Sequence, residues 1–152
     1  MIKVLFVCLG NICRSPMAEA VFRKMVRDRG LEDQILCDSA GTGHWHLGEL
    51  PHIGTRQILE KNHVPCNHRS RLLTTKDLRE FDLVVPMDAE NHFDIMEMGG
   101  DADQTFMLMS FAPKSEAESV PDPYYTGDFD TVYRLVNEGC AGLLNYICEN
   151  ML

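Results

Sequence analysis

A thiol, a guanidinium and a carboxyl are the groups in this 152-residue chain whose types and spacing could break a phosphate ester. The thiol and the guanidinium share one short run, Cys8-Leu9-Gly10-Asn11-Ile12-Cys13-Arg14-Ser15, which follows the apolar stretch Ile2 to Val7 and precedes Pro16. A strand that ends in a tight loop and opens a helix aims successive backbone N–H groups at one point, and the positive end of the helix dipole adds to the field there. An oxyanion would rest on the amides of Leu9, Gly10, Asn11, Ile12, Cys13 and Ser15. The same field favours the thiolate of Cys8, the nucleophilic form of a cysteine. Arg14 offers a planar fork that grips two phosphate oxygens and tightens as charge builds in the transition state. Gly10 and Asn11 tolerate the positive φ that such a loop requires, Ser15 is placed to cap the helix, and Pro16 suits its first position.

The carboxyl is that of Asp122, in Val120-Pro121-Asp122-Pro123-Tyr124-Tyr125. A thiolate that takes a phosphoryl group from an alcohol or phenol needs a proton donor for the departing oxygen. The flanking prolines stiffen the segment and hold the carboxyl in place. Tyr124 and Tyr125, with Ile12 and Trp45, the single tryptophan, would wall a slot deep enough for a phenyl ring.

Two other uses of Cys8 and Cys13 compete with this reading. A metal site needs four ligands, and the one further cluster, Cys66-Asn67-His68, would consume the nucleophile; no metal and no cofactor is expected. A reversible Cys8–Cys13 disulfide is compatible with catalysis, because both thiols stand on one loop and one is activated. It would be regulation rather than architecture.

The supporting elements follow from length and pattern. A chain of this size with 45% hydrophobic residues fits one domain over residues 1–152. A net charge of −9 without a basic stripe argues against nucleic acid, so a phosphate site must create its own positive field. No apolar run approaches a transmembrane length, Met1 to Val7 is too short for the apolar region of a secretory signal and reads as a strand, and six cysteines fit a reducing compartment; the expectation is a cytoplasmic protein with no membrane partner. Apolar runs alternate with helical patterns, which predicts an α/β fold. The expected strands are Ile2 to Val7, Gln34 to Asp38, Asp82 to Pro86 and Thr105 to Ser110. The expected helices are Pro16 to Arg29, Ile53 to Asn62, Asp88 to Met98 capped by Asp88, and Asp128 to Met151, with Ser39 to about Pro51 as a polar loop. The simplest arrangement is a four-stranded parallel sheet of order 2-1-3-4 with helices on both faces. The Cys8 loop then lies at the switch point, with Ser39 and Asp88 on the same rim.

Together these segments resemble the low-molecular-weight protein tyrosine phosphatases. Cys8 to Glu19 resembles that family's N-terminal loop and helix start, Asp38-Ser39-Ala40-Gly41-Thr42 its second strand end, Met87-Asp88-x-x-Asn91 its third, and Asp122-Pro123-Tyr124-Tyr125 its acid loop. The resemblance covers essentially the whole chain. It implies phosphoryl transfer from a phosphotyrosine protein through phosphocysteine, with Cys8 as nucleophile, Arg14 and the loop amides as clamp, and Asp122 as acid and then base. It further implies that Ser15 donates to the Cys8 thiolate and that Asn11 is left-handed, held by Ser39 and His68.

The chain departs from the family pattern at Pro51-His52-Ile53-Gly54-Thr55-Arg56, where many members have Pro-Asp-x-Arg, so no aspartate caps that helix. His63 stands where a glycine usually closes the second helix, which would leave the left-handed turn to Asn62. Pro86 is tolerable in its strand only where its missing N–H is not needed. Among related activities, arsenate reduction needs relay cysteines that Cys37, Cys66, Cys140 and Cys148 do not form. Phosphoarginine hydrolysis goes, in the family, with a threonine at the position of Ile12. A non-catalytic phosphotyrosine-binding module would require neither Cys8 nor Asp122.

Overall fold

Side chains alternate across the first strand, β1 (Ile2–Cys8), and this alternation sorts the core. Val4, Phe6 and Cys8 enter a large apolar layer, whereas Leu5 and Val7 enter a smaller one on the opposite face. The computed structural model describes residues 1–152. After β1 come α1 (Arg14–Asp28), β2 (Ile35–Gly41), α2 (Ile53–Lys61), α3 (Thr75–Glu80), β3 (Leu83–Pro86), α4 (Ala89–Glu97), a 3-10 turn at Leu108–Phe111, α5 (Pro123–Thr126) and α6 (Phe129–Asn150). Met17, Val21 and Phe22 of α1 and Val136, Leu143 and Ile147 of α6 close the large face. Leu78 of α3 and Ile95 of α4 close the small one. The expected parallel α/β architecture with helices on both faces is thus present.

The sheet has three strands, in the order β2-β1-β3, and not four. β1 pairs in parallel with both neighbours, aligning Cys8 with Gly41 and Val7 with Pro86. The expected fourth strand, Thr105 to Ser110, begins and then stops: Val84 donates to the Gln104 carbonyl at 2.8 Å and accepts from the Phe106 N–H at 3.1 Å, forming one isolated bridge to Thr105. The next donor on that edge would be Pro86, which has no N–H, so the ladder cannot continue. The chain instead turns into the 3-10 segment, whose Leu108 and Phe111 lie where α6 has Gly139 and Gly142; a Cβ at either glycine would collide with them.

Several boundaries move for reasons of long-range pairing or local capping. Ser39 to Gly41, expected as loop, extend β2 because Gly41 donates to the Arg71 carbonyl and accepts from Leu73. α1 starts at Arg14 with Cys13 as its cap, so Ser15 lies inside the first turn and does not cap it. The left-handed residue after α2 is His63, at φ 57°, and not Asn62, at φ −99°. Asn62 donates from its side chain back to the Ile58 carbonyl, which keeps it near helical geometry. His63 N–H then bonds Glu60 and Val64 N–H bonds Leu59, the paired closure that requires αL at the residue between. α3 was not foreseen, although Thr74 and Asp77 cap each other reciprocally at its start.

Candidate active site

The loop from Leu9 to Cys13 turns all but one of its carbonyls toward the protein. Thr42 N–H bonds the Cys8 carbonyl at 3.0 Å, Gly43 N–H bonds Leu9 at 2.8 Å, and His52 N–H bonds Ile12 at 2.7 Å. Ser70 Oγ donates to Gly10 at 3.0 Å and Thr55 Oγ1 donates to Cys13 at 3.1 Å. By contrast, the backbone N–H groups from Leu9 through Ser15 have no protein acceptor. Donors left together at a helix start form an anion cradle, since each would otherwise carry the cost of an unmade hydrogen bond. Gly41 of β2 makes the turn possible: a Cβ there would lie 2.8 Å from the Leu9 carbonyl oxygen.

Beneath the loop, Asn11 sits fully buried at φ 55° with its side-chain amide saturated. Its Nδ2 donates to Ser15 Oγ at 2.8 Å and to Ser39 Oγ at 3.0 Å. Its Oδ1 accepts from the Arg71 N–H at 2.9 Å and faces His68 Nε2 at 2.7 Å. Four bonds from three segments, α1, β2 and the loop of His68 and Arg71, hold a left-handed backbone that a non-glycine residue otherwise avoids. Ser15 Oγ, accepting from Asn11, lies 2.9 Å from Cys8 Sγ and has its own proton free for the sulfur. Asn11 and Ser15, whose backbone N–H groups are among those without a protein acceptor, therefore place their side chains under the loop.

The network ends on Glu19, a residue the sequence pattern did not single out because it reads as an ordinary position of α1. Its carboxylate accepts from Ser39 Oγ at 2.7 Å and from Arg23 at 2.8 Å, and lies 3.1 Å from His68 Nδ1. Burial works against its charge, but the hydrogen bonds from His68 and Ser39 and the charges of His68 and Arg23 outweigh burial and hold the carboxyl below its ordinary range. Glu19, Asp38 and His68 bring their ligand atoms within 4.8 Å of one another, with Arg23 and Arg71 already paired to the two carboxylates.

Arg14 is almost wholly buried, and its fork is aimed by Asp88 and the acid loop. Nη1 meets Asp88 Oδ2 at 2.6 Å and donates to the Val120 carbonyl at 3.0 Å, while Nη2 approaches Asp122 Oδ2 at 3.4 Å. Nε has no protein acceptor. Burial disfavours the guanidinium charge, yet Cys8, Asp88 and Asp122 together raise its proton affinity above the ordinary value. Asp88 serves two purposes, because its Oδ1 also caps α4 by accepting from Asn91 N–H at 2.8 Å. Asp122 is the cap of α5, and its Oδ1 accepts from Tyr124 N–H at 3.0 Å, which leaves Oδ2 at the cleft side with Arg14.

These elements enclose a cleft of about 330 Å³. Its lining brings together the expected Cys8, Leu9, Gly10, Ile12, Cys13, Arg14, Trp45, Asp122, Tyr124 and Tyr125, and adds His46. Ser39 and His68 are in the network below it. His46, whose only sequence signal was its place beside Trp45, is held by Glu49 at 2.8 Å and faces the Tyr124 ring at 5.9 Å. His52 replaces the missing aspartate as the cap of α2, its Nδ1 accepting from Gly54 N–H at 3.0 Å. Its ring stacks on Phe129 at 5.1 Å and meets Tyr124 edge-on at 6.2 Å.

A model of the family described as low molecular weight phosphotyrosine protein phosphatase matches residues 3–151. The low molecular weight protein-tyrosine-phosphatase YfkJ of Bacillus subtilis is 46% identical over 147 residues, spanning 95% of this chain and 94% of that one. PtpA of Staphylococcus aureus is 45% identical over 152 residues, 99% and 96% of the two chains. The crystal structure of YfkJ superposes with a TM-score of 0.97 at 44% identity, covering 100% of this chain and 98% of that one. The crystal structure of DARP, a Drosophila arginine phosphatase, superposes with a TM-score of 0.88 at 33% identity, covering 95% and 97%. No helix is long and apolar enough to cross a membrane.

Proposed function

Because this chain belongs to the low molecular weight phosphotyrosine protein phosphatase family, we propose that it cleaves phosphotyrosine in two steps through a phosphocysteine on Cys8, as one domain of residues 1–152. The observation that carries the mechanism is the buried Arg14 Nε without a protein acceptor, beside loop amides that also lack one, in the cleft that holds Cys8 and Asp122. These donors would take the phosphoryl oxygens and bind them more tightly as charge develops. The Cys8 thiolate, steadied by the Ser15 hydroxyl, attacks phosphorus; the phosphorus–oxygen bond to the phenol breaks, and Asp122 gives its proton to the departing oxygen. The Asp122 carboxylate then removes a proton from water, whose oxygen attacks phosphorus. Phosphate leaves and the thiolate returns. Trp45, Tyr124, Tyr125 and Ile12 would flank the ring, and Leu9, Gly10 and Cys13 complete the wall. Six free cysteines support a cytoplasmic site of action.

Phosphoarginine hydrolysis is the second reading, supported by the likeness to the Drosophila arginine phosphatase. The apolar Ile12 in the cleft wall favours phosphotyrosine. Measuring kcat/KM on peptides bearing phosphotyrosine, phosphoserine or phosphoarginine tests both. Preference for phosphotyrosine is expected, with Ile12→Thr shifting it toward phosphoarginine; equal handling of phosphoserine and phosphotyrosine would remove the aryl slot. Cys8→Ser should abolish turnover while still binding vanadate, and hydrolysis by that variant at a substantial fraction of the wild-type rate would remove phosphocysteine.

A further inference from the structure

Six of the eleven large apolar side chains left exposed on this protein, Trp45, Leu47, Leu50, Ile53, Tyr124 and Tyr125, are carried by two short segments that border the cleft. Each keeps between 47% (Leu50) and 77% (Tyr125) of its surface in water. They come from two segments, 45–53 and 124–125, joined where Tyr124 meets both His46 and His52. The segment that carries four of them is fastened along its length. Thr42 and Gly43 N–H, just ahead of it, and His52 N–H, near its end, bond to loop carbonyls, and Gly48 and Glu49 exchange backbone bonds with Ser70 in the middle. Arg69 adds a bond to the Gly48 carbonyl at 3.0 Å. Apolar side chains held out by a braced backbone cannot fold inward to escape water, and a cluster of that kind marks a surface that another molecule covers.

We infer that this collar is the docking surface for the polypeptide on either side of the phosphotyrosine, and that it selects substrates with large aliphatic or aromatic residues there over acidic ones. The inference rests on the proposed phosphotyrosine reading, since the collar is continuous with the cleft wall formed by Trp45, Tyr124 and Tyr125. Charge points the same way. Beside Arg69 and Arg56, whose guanidinium groups bond to the Gly48 and Pro51 carbonyls, stand three carboxylates, Glu49 in the collar and Asp128 and Asp130 flanking the Phe129 that stacks on His52, on a chain of net charge −9. Carboxylates beside the phosphotyrosine would meet those three at short range, whereas apolar side chains would cover the exposed leucines and Ile53.

Two phosphotyrosine peptides of equal length, one with Leu and Ile on both sides and one with Asp and Glu, should be compared with para-nitrophenyl phosphate as a substrate that has no flanks. Wild type should prefer the apolar peptide by about tenfold in kcat/KM, carried mainly by KM. A triple variant, Leu47→Ser, Leu50→Ser and Ile53→Ser, should lose that preference while its constants for para-nitrophenyl phosphate stay within about twofold. Equal handling of the two peptides by wild type, or a preference that survives in the triple variant, overturns the docking assignment alone. Failure of wild type to hydrolyse any of the three substrates overturns the phosphotyrosine reading and the docking assignment with it.

Discussion

Cys8 and Cys13 share one loop, yet their surroundings separate their chemistry. Cys13 has its thiol pushed up to about 12, chiefly by burial and then by the charges of Cys8 and Asp122, with Arg14 pulling the other way. It stays a thiol at neutral pH and does not compete as a nucleophile. Cys8 has the Ser15 hydroxyl 2.9 Å from its sulfur. Cys13→Ser should therefore keep turnover within a few-fold of wild type. Its part would come after oxidation: the Cys8 thiolate takes an oxygen from hydrogen peroxide to give a sulfenic acid and hydroxide, and the Cys13 sulfur then displaces water to form a disulfide. Wild type should regain most of its activity with a thiol reductant after peroxide, and Cys13→Ser should regain much less because its sulfenic acid oxidises further. Equal recovery would reduce Cys13 to a packing residue. Asp122→Ala should slow poor leaving groups by about 10²–10⁴-fold and acidic phenols far less, since only the former need a proton as the oxygen departs. A uniform loss across a series of aryl phosphates would place the acid elsewhere.

Elements hold these side chains through a few polar joints, and α1 is joined to the loop network by Glu19. Its carboxyl is held below the ordinary range in the fold, so the stability it contributes is fully present above the unfolded value of about 4.3 and disappears as pH falls through the folded one. Glu19→Gln should lower the melting temperature clearly at pH 7, by an amount appropriate to a broken buried charge pair, about 3–5 kcal/mol, and the gap to wild type should narrow as pH is lowered below 4. A gap that stays constant down to pH 3 would show that the loss is one of packing. His52 is the joint between α2, the Cys8 loop and the aromatic side of the acid loop. His52→Asn keeps a cap acceptor but removes the ring that Tyr124 and Phe129 touch. Thermal stability should change little, while KM for aryl phosphates rises about threefold to tenfold as the Tyr124 wall loosens. His52→Phe should do the reverse, with KM retained and about 1 kcal/mol of stability lost with the cap. If both variants shift KM alike, the ring contact is not what seats Tyr124.

At the scale of the whole molecule, a positive cradle sits in an acidic protein. The field near Arg14 and the loop amides is short-ranged, whereas the net charge of −9 acts over the Debye length, roughly 30 Å at 0.01 M salt and 8 Å at 0.15 M. Encounter with a dianionic phosphate should therefore be hindered at low salt, and kcat/KM for phosphotyrosine should rise about twofold between those ionic strengths. A fall over the same range would mean that the cleft field, and not the net charge, governs encounter.

The geometry of the Cys8 loop was legible in the sequence because its parts are local. Strand, loop and helix start are contiguous from Ile2 to Pro16, so Cys8, Arg14 and the amides between them are brought together by neighbouring backbone alone. Alternation and helical period likewise predicted three of the strands and four of the helices, because each records which face is buried. Tertiary structure decided whatever depends on partners far along the chain. The fourth strand failed because Pro86 lacks the donor the next rung needs, while Gly139 and Gly142 of α6 accommodate the turn that replaces it. β2 gained three residues because Arg71 and Leu73 pair with Gly41. Asp88 and Glu19 acquired their places opposite Arg14 and His68 through contacts that span 74 and 49 residues. Hydrogen-bond partners at such separations leave no periodicity for a sequence pattern to display, so only the folded chain could assign them.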